Sequence, residues 1–537
     1  MQKIILPHFE IKDLDQICIE EVLDKNLISK VINKSGMEAI CHVDKLGHLT
    51  GITCDSDLRK SPGELINRNP QKIYQNSTRI GLIRDYIPVV DKNNKLISVL
   101  FRPKDQVLRF AEAPKSITIV GIGYVGLTLA IAFAIKGVKV YCIDKNTELI
   151  DLLKKGKLPF YETGLEEALS VAFKNLIFES TFSKINTSEI ILTVGTPLNN
   201  NNEVNLSYLY DAIDQIVEAS DTSNLKNLIL RSTVPVGTCD KVESMIFQKY
   251  NRNINCIMCP ERTIEGKAIE ELATNPQIIG TYSLKAASIC YKLFNLLTDT
   301  IHISNNPKFA ELAKLGDNTY RDIKFAYSNF LGITAQKLNL VGSDLIKTMN
   351  QDYARNDLST PSPGVGGPCL SKDAYIFKNG LDKLGIKDSS FILSGRSQDD
   401  IVISYIANVI KDHCLYLNNN KVSIAGLSFK GFPETSDVRD SSSLKLINKL
   451  TKYYNIHVFD PLAIDNSEKI NYKRENFNDF TLKSSVLIIM TNHPSFKSSD
   501  WNTALMNLEK QALVIDGWNI LERYNVALEY DLIYRQF

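Results

Sequence analysis

The sequence predicts an α/β protein with two doubly wound parallel-sheet domains joined by a long central helix and preceded by a small α+β pair. Three observations carry that prediction. Apolar strands alternate with helical segments from about residue 116 to about residue 300, the pattern of a parallel sheet covered by helices. The alternation resumes at "KVSIAGLSF" (421–429) and continues through "NIHVFDPL", "SSVLIIMTNHPSF" and "ALVIDGWNIL". Between the two runs, Pro307 to Leu340 keeps a helical period over a length too great for one small domain, so this helix is expected to bridge domains and to build a dimer interface. At 537 residues the chain exceeds a single core, and the expected segments are 1–112, 113–306, 307–418 and 419–537.

Composition narrows the partners. Lys plus Arg (62) nearly cancels Asp plus Glu (61), so no net field holds nucleic acid or an anionic membrane, and a phosphate-bearing ligand must be gripped locally. Ten cysteines scattered through apolar runs do not make a secreted disulfide framework; free thiols and a cytoplasmic setting are expected. The start, "MQKIILPHFEIKD", lacks the pattern of a signal peptide. Ile117 to Ile135 carries no charge and imitates a membrane span, but a strand, a glycine turn and a helix account for the same run. Cys256 and Cys259 form a CxxC without a second ligand pair at zinc spacing, and read as structural cysteines of a buried strand; no metal site is expected.

The first segment is an internal repeat. "AICHVDKLGHLTGI" (39–52) recurs as "IPVVDKNNKLISVL" (87–100), with Asp44-Lys45 and Asp91-Lys92 in register, and each copy reads as a hairpin. The pair resembles tandem CBS modules, and "GITCDSDLRK" (51–60) puts Asp57 where that family holds the ribose of an adenine nucleotide. Cys54 replaces the usual threonine, and the second copy lacks an equivalent aspartate, so a structural role stands beside nucleotide sensing. "RPKDQVLRFAEAPKS" (102–116) reads as a charged helix and joint.

"VGIGYVGLTLA" then places Gly121, Gly123 and Gly126 as G-x-G-x-x-G between a strand and a helix. The first glycine permits the turn, the second admits a pyrophosphate and the third lets helix lie on strand. Asp144 ends the next strand, where a carboxylate accepts ribose hydroxyls and repels a 2′-phosphate, so NAD is expected over NADP.

"GVGGPCLSKD" (364–373) surrounds Cys369 with glycines that permit positive φ and close approach of a ligand; a tight turn around a buried cysteine is the other reading. NAD⁺ beside a thiolate can oxidise an aldehyde: the thiol adds to give a thiohemiacetal, which loses hydride to become a thioester that water releases as an acid. Lys314 and Asn318, four apart on the long helix, offer an oxyanion stabiliser and a water-positioning group, or simply a solvated face.

From about residue 116 onward the chain resembles the UDP-glucose/GDP-mannose dehydrogenase family, with motifs in that family's order. These are "GIGYVGLTLA", "TVGTPL" (193–198), "RSTVPVGT" (231–238), "PERTIEG" (260–266), "ELAKLGDNTYRD" (311–322), "SPGVGGPCLSKD" (362–373) and "GLSFKG" with "SDVRDSS" (426–442). The resemblance implies Rossmann-like domains and a four-electron oxidation of a UDP-sugar C6 hydroxyl to the uronate with two NAD⁺. It implies Cys369 as nucleophile, Lys314 as oxyanion stabiliser, Asn318 and Asp373 as holders of the hydrolytic water and Glu261 as acid/base. Tyr124, Val125, Thr196, Thr233, Glu265 and Arg439 join the glycines and Asp144 as cofactor positions; Gly366 and Lys430 fall to substrate. Arg355 resembles an arginine that reaches the partner subunit's substrate in a homodimer. Lys430 and Arg439 stand farther apart than is usual in the family, and Pro368 replaces its usual polar residue before the cysteine.

Arg262, following the glutamate, points to the 2-acetamido branch, UDP-GlcNAc or UDP-ManNAc, while Glu265-Gly266 is shared with the UDP-glucose branch, the runner-up. A non-oxidative NAD-containing ligand sensor and an epimerase are the other classes; the intact Cys, Lys, Asn and Asp set argues against the sensor, and an epimerase needs no thiol.

Overall fold

The computed structural model describes residues 18–20, 39–46, 48–54, 73–74, 86–101, 112–182, 186–220, 224–463 and 471–537. Near the N-terminus lie two small sheets. One has the order β1 (Cys18–Glu20), β2 (Ala39–Val43), β3 (Leu49–Cys54), and the other β4 (Ile73–Tyr74), β5 (Tyr86–Val90), β6 (Leu96–Phe101). In each the first pair is parallel and the second antiparallel. The repeated aspartates explain the repeated turn. Asp44 Oδ1 accepts the N–H groups of Leu46 and His48, and Asp91 Oδ1 those of Asn93 and Lys95, so one carboxylate satisfies the donors that each turn exposes. The two turns meet: Leu49 N donates to Asn94 O at 3.0 Å. Asp57 and the charged segment 102–111 lie outside the described residues.

The next sheet has eight strands: β7 (Ser116–Val120), β8 (Lys139–Ile143), β9 (Leu176–Glu179), β10 (Glu189–Leu192), β11 (Asn227–Leu230), β12 (Asn255–Met258), β13 (Gln277–Gly280) and β14 (Ile301–Ser304). Their order is β14-β13-β12-β11-β10-β7-β8-β9. Alternate residues feed two cores: Ile117, Ile119, Ile191 and Ile229 enter one, and Val120, Ile190, Leu192 and Leu230 the other. Cys256 and Cys259 fall into opposite cores, so these two thiols cannot share a metal ion. The expectation of a wholly parallel sheet needs one correction. β12 and β13 are antiparallel, because the chain between them turns back at the same end of the sheet instead of crossing over.

Helix α1 (Tyr124–Ile135) follows β7 through the glycine turn. Gly121 has φ +91°, and a Cβ on Gly126 would sit 2.0 Å from Gly121 O, so the close approach of helix to strand requires a glycine there. Central helix α2 (Pro307–Lys337) starts at an Asn306 cap with Pro307 in its first turn. It stops three residues short of the expected Leu340, where Asn339 adopts φ 59°. Against α2 pack α3 (Leu370–Lys383), which opens on the glycine-rich loop, and α4 (Ser394–Leu417).

The last sheet is parallel throughout, in the order β17-β16-β15-β18-β19-β20, from β15 (Lys421–Ala425), β16 (Asn455–Phe459), β17 (Lys473–Arg474), β18 (Val486–Ile489), β19 (Leu513–Asp516) and β20 (Ile533–Gln536). Helix α5 (Ser442–Leu450) leads from the "SDVRDSS" loop toward β16. Among the described residues no helix is long and apolar enough to cross a membrane.

Candidate active site

A cavity of about 890 Å³ opens at the carboxyl ends of β7, β8 and β10. Gly121, Gly123, Asp144 and Thr196 line it from the first sheet, Pro368 and Lys372 from the start of α3, and Arg439 and Asp440 from the last domain. Its chemistry fits a dinucleotide. A Cβ on Gly123 would meet nothing within 4 Å, which leaves the N-terminus of α1 open to a pyrophosphate. Asp144 Oδ2 accepts Ile122 N at 2.7 Å and Oδ1 accepts Asn146 N at 2.9 Å, so each oxygen keeps acceptor capacity for ribose hydroxyls. Thr196 donates to Thr233 O at 2.7 Å, joining the two expected cofactor loops.

Tyr124 hydrogen-bonds Glu162, whose carboxylate also accepts Gly266 N and Ala268 N; burial and that carboxylate push the phenol pKa up. Val125 is half-buried in the first turn of α1.

Cys369 is the N-cap residue of α3 and is exposed. Protein crowds its cleft nonetheless: desolvation first, then the Asp373 carboxylate, push the thiol pKa up, and Lys314 and Lys372 pull it down. One turn into α3, Asp373 is buried and receives Asn318 Nδ2 at 2.5 Å and Lys372 Nζ at 2.9 Å. Arg321 donates to Asn318 Oδ1 at 2.5 Å, which fixes the amide with its nitrogen toward Asp373. Lys314 is buried on the same face of α2, and among the described residues it has no ion-pair partner. Sequence reasoning missed Arg321 and Lys372, although both sit inside motifs it had singled out.

The loop glycines also make room for protein. Gly364 and Gly367 do take positive φ, 116° and 101°, but it is protein that approaches them. A Cβ would lie 2.7 Å from Ser442 Oγ at Gly364, 2.6 Å from Asp440 O at Gly366 and 2.6 Å from the Phe429 ring at Gly367. Gly366 therefore packs on the 440–442 backbone, and the glycines let the cysteine loop dock on the last domain.

The chain matches three domains of one family: the NAD binding domain of the UDP-glucose/GDP-mannose dehydrogenase family over 115–298, its central domain over 308–397 and its UDP binding domain over 423–523. The UDP-N-acetyl-D-mannosamine dehydrogenase of Methanococcus vannielii is 30% identical over 418 residues, covering 76% of this chain and 93% of that protein. This chain belongs to the UDP-glucose/GDP-mannose dehydrogenase family. The UDP-glucose 6-dehydrogenase of Rickettsia bellii is 30% identical over 426 residues, covering 76% of this chain and 96% of its own length. The solved structure of a UDP-D-ManNAc dehydrogenase from Pyrococcus horikoshii matches with TM-score 0.70 at 26% identity, covering 78% and 98% of the two chains. The protein is an NAD-dependent nucleotide-sugar dehydrogenase, an oxidoreductase.

In this dehydrogenase Glu261 is held as a carboxylate. Burial alone would raise its pKa, but the Arg231 guanidinium at 3.0 Å, the Thr263 N–H and the Lys314 charge hold it below the usual range. That state accepts protons. Arg262, the next residue, has its own contacts. Its guanidinium donates to Pro276 O and Asp317 Oδ2, both at 2.9 Å, and lines a separate cavity with His302 and Phe309. Those two hydrogen bonds, one to a backbone carbonyl and one to a carboxylate of α2, fix where its guanidinium lies.

Loops of the two sheets interlock around Glu265. Lys430 Nζ donates to Glu265 O and to Pro433 O, and burial pulls its pKa down to about 8 against Glu265 and Glu162. Arg439 pairs with Asp437 at 2.5 Å and reaches Glu265 at 3.4 Å, so the longer loop still delivers Arg439 to the dinucleotide cavity. Arg355 is exposed. The last sheet repeats the glycine turn: Gly426 N donates to Phe459 O as Gly121 N does to Ile143 O. Asp460 there is buried and takes Leu427 N, Ser428 N, Leu462 N and Ala463 N, which leaves its oxygens closed to a second ribose. A larger cavity, about 1120 Å³ between the ends of α4 and α5, holds none of these site residues.

Burial first, then Asp437, push the Glu265 pKa up to about 7, against Arg439, Thr435 and Lys430. A carboxyl with a higher pKa folded than unfolded takes up a proton on folding, so its stabilisation is complete below the unfolded value and is lost as pH rises through the folded one. Glu265→Gln is therefore expected to flatten the fall in Tm between about pH 5 and about pH 8, read by thermal melts in matched buffers.

Proposed function

We propose that this dehydrogenase oxidises C6 of a UDP-N-acetylhexosamine, UDP-N-acetylmannosamine foremost, to the carboxylate, with UDP-glucose as the second substrate to test. The observation that carries the reading is the cluster of Cys369, Lys314, Asn318 and Asp373 beside Pro368 and Lys372, two residues that line the dinucleotide cavity. When bound, NAD⁺ supplies the hydride acceptor for both oxidations. Lys314 presents an ammonium to the C6 oxyanion. Cys369 Sγ, having given its proton to a base such as Glu261, adds to the C6 aldehyde and then holds C6 as a thioester. Asn318 and Asp373 position the water that releases the acid. The preference for the acetamido sugar is supported by the M. vannielii relative and the P. horikoshii structure, both named for UDP-ManNAc.

A homodimer belongs to the same proposal. Phe309, Leu312, Tyr320, Tyr327, Phe330 and Leu338 are exposed at helical spacing along α2 and its C-cap, an apolar stripe that suits a second copy, and the exposed Arg355 is available to it. Free thiols at the eight cysteines whose side chains are described suit a reducing, cytoplasmic setting.

The test is product analysis by mass spectrometry of the purified protein with NAD⁺ and a panel of UDP-hexoses. Two NADH per sugar and a uronate from the acetamido sugar are expected; an epimer without NADH release would reject the reading.

A further inference from the structure

Four charged side chains are buried together behind the cysteine loop: Asp322 on α2 (1% exposed), Arg396 (6%) and Asp399 (2%) on α4, and Lys445 on α5, partly shielded. Arg396 binds the Asp322 carboxylate with two nitrogens, Nε at 2.8 Å to Oδ2 and Nη2 to Oδ1. Lys445 Nζ donates to Asp399 Oδ2 at 2.7 Å. Two acids and two bases leave the group neutral, but a neutral ionic cluster still carries the desolvation cost of each member, and an apolar cluster of the same volume stabilises as well or better. Stability alone therefore does not explain it.

What the cluster holds is Val365. Asp399 Oδ1 accepts Val365 N at 2.7 Å, and Arg396 Nη1 donates to Val365 O at 3.2 Å. The N–H and the C=O of one loop residue are thus clamped by two side chains three residues apart on α4. Val365 lies between Gly364 and Gly366, in a stretch with almost no side chain of its own to fix it, and four residues before Cys369. At the far end of the cluster, Asp322 stands four residues, about one helical turn, from Asn318 on α2. Gly395 completes the fit: a Cβ there would come within 2.4 Å of Asp322 Oδ2.

We infer that Asp399 and Arg396 are positioning residues for the nucleophile: by clamping the Val365 peptide groups to α2 and α5 they set where Cys369 lies relative to Lys314 and Asp373. The inference rests on Cys369 being the nucleophile. Asp399→Asn keeps the shape of the side chain while removing the charge that accepts Val365 N. Arg396→Lys keeps a cation beside Asp322 while losing the planar fork, and it provides a second variant if the first fails to fold.

Each variant is expected to lower kcat by about 10- to 100-fold with KM for NAD⁺ nearly unchanged, because a displacement of about 1 Å suffices for that loss. Hydrogen exchange at the Val365 amide is expected to speed up by at least about tenfold, and the rate of Cys369 alkylation by iodoacetamide to change at least about threefold. Asp399→Glu, which keeps the charge, is expected to recover part of the exchange protection. Folded variants with wild-type kcat, Val365 protection and alkylation rate would overturn the inference. Should the wild-type protein form no acid from any UDP-sugar, the function reading falls by itself, and the exchange and alkylation results still decide whether the clamp positions the thiol.

Discussion

Cys369→Ser is expected to lose uronate formation by at least about three orders of magnitude while retaining NAD⁺ binding within about twofold. The two halves of this expectation have separate physical sources. The dinucleotide cavity is built by Gly121, Gly123, Asp144, Thr196, Arg439 and their neighbours, none of which a change of sulfur to oxygen disturbs. Cys369 is exposed at the N-cap of α3 and its side chain accepts no cap hydrogen bond there, so the helix does not depend on the thiol. The chemistry does depend on it. A serine hydroxyl stays protonated far above the range in which even this raised thiol ionises, and Lys314 and Lys372 cannot recover that difference. Product mass spectrometry with an NADH assay checks the prediction, and robust acid production by the serine variant would remove Cys369 from the mechanism.

Local order is the part of this molecule that can be read along the chain. The glycines at 121, 123 and 126 specify a strand, a turn and a helix within a few residues, and Asp144 follows at the end of the adjacent strand, so the cofactor site needed no knowledge of distant contacts. The repeated aspartates at 44 and 91 marked two hairpin turns for the same reason. Contacts between distant segments were illegible. Gly364, Gly366 and Gly367 are small because Ser442, Asp440 and Phe429 press on them, and nothing near residue 365 announces partners some 60–80 positions later. Arg262 sits next to Glu261 in sequence yet turns to Asp317, since a long side chain chooses its partner from whatever the fold brings near. Asp322 lies more than 70 positions from Arg396 and Asp399, and the three come together only when α2 and α4 pack. The antiparallel β12/β13 junction was hidden because strand and helix alternation does not record at which end of a sheet the chain turns back.

Lys314→Met is expected to cost about 10²- to 10³-fold in kcat, the range for removing one preorganised oxyanion donor from a water-poor site. Lys314 is buried on α2, four residues before Asn318, and its charge acts on both Cys369 and Glu261, lowering the pKa of each. Methionine has a similar length and no charge, so it fills the space without leaving an unpaired ion in the interior. The sign of the second effect follows from electrostatics: with the ammonium gone, the Cys369 thiolate loses a favourable neighbour, its pKa rises further, and the pH profile of its alkylation moves to higher pH. Lys314→Arg separates charge from geometry. It retains a cation, so the alkylation profile is expected to stay close to that of the wild type, while kcat still falls because a planar guanidinium does not occupy the place of a compact ammonium. If Lys314→Met left both kcat and the thiol profile where they are, the buried lysine would be a structural residue, and the oxyanion would have to be met by another donor in the cleft, with Lys372 at the mouth of the cavity the next residue to replace.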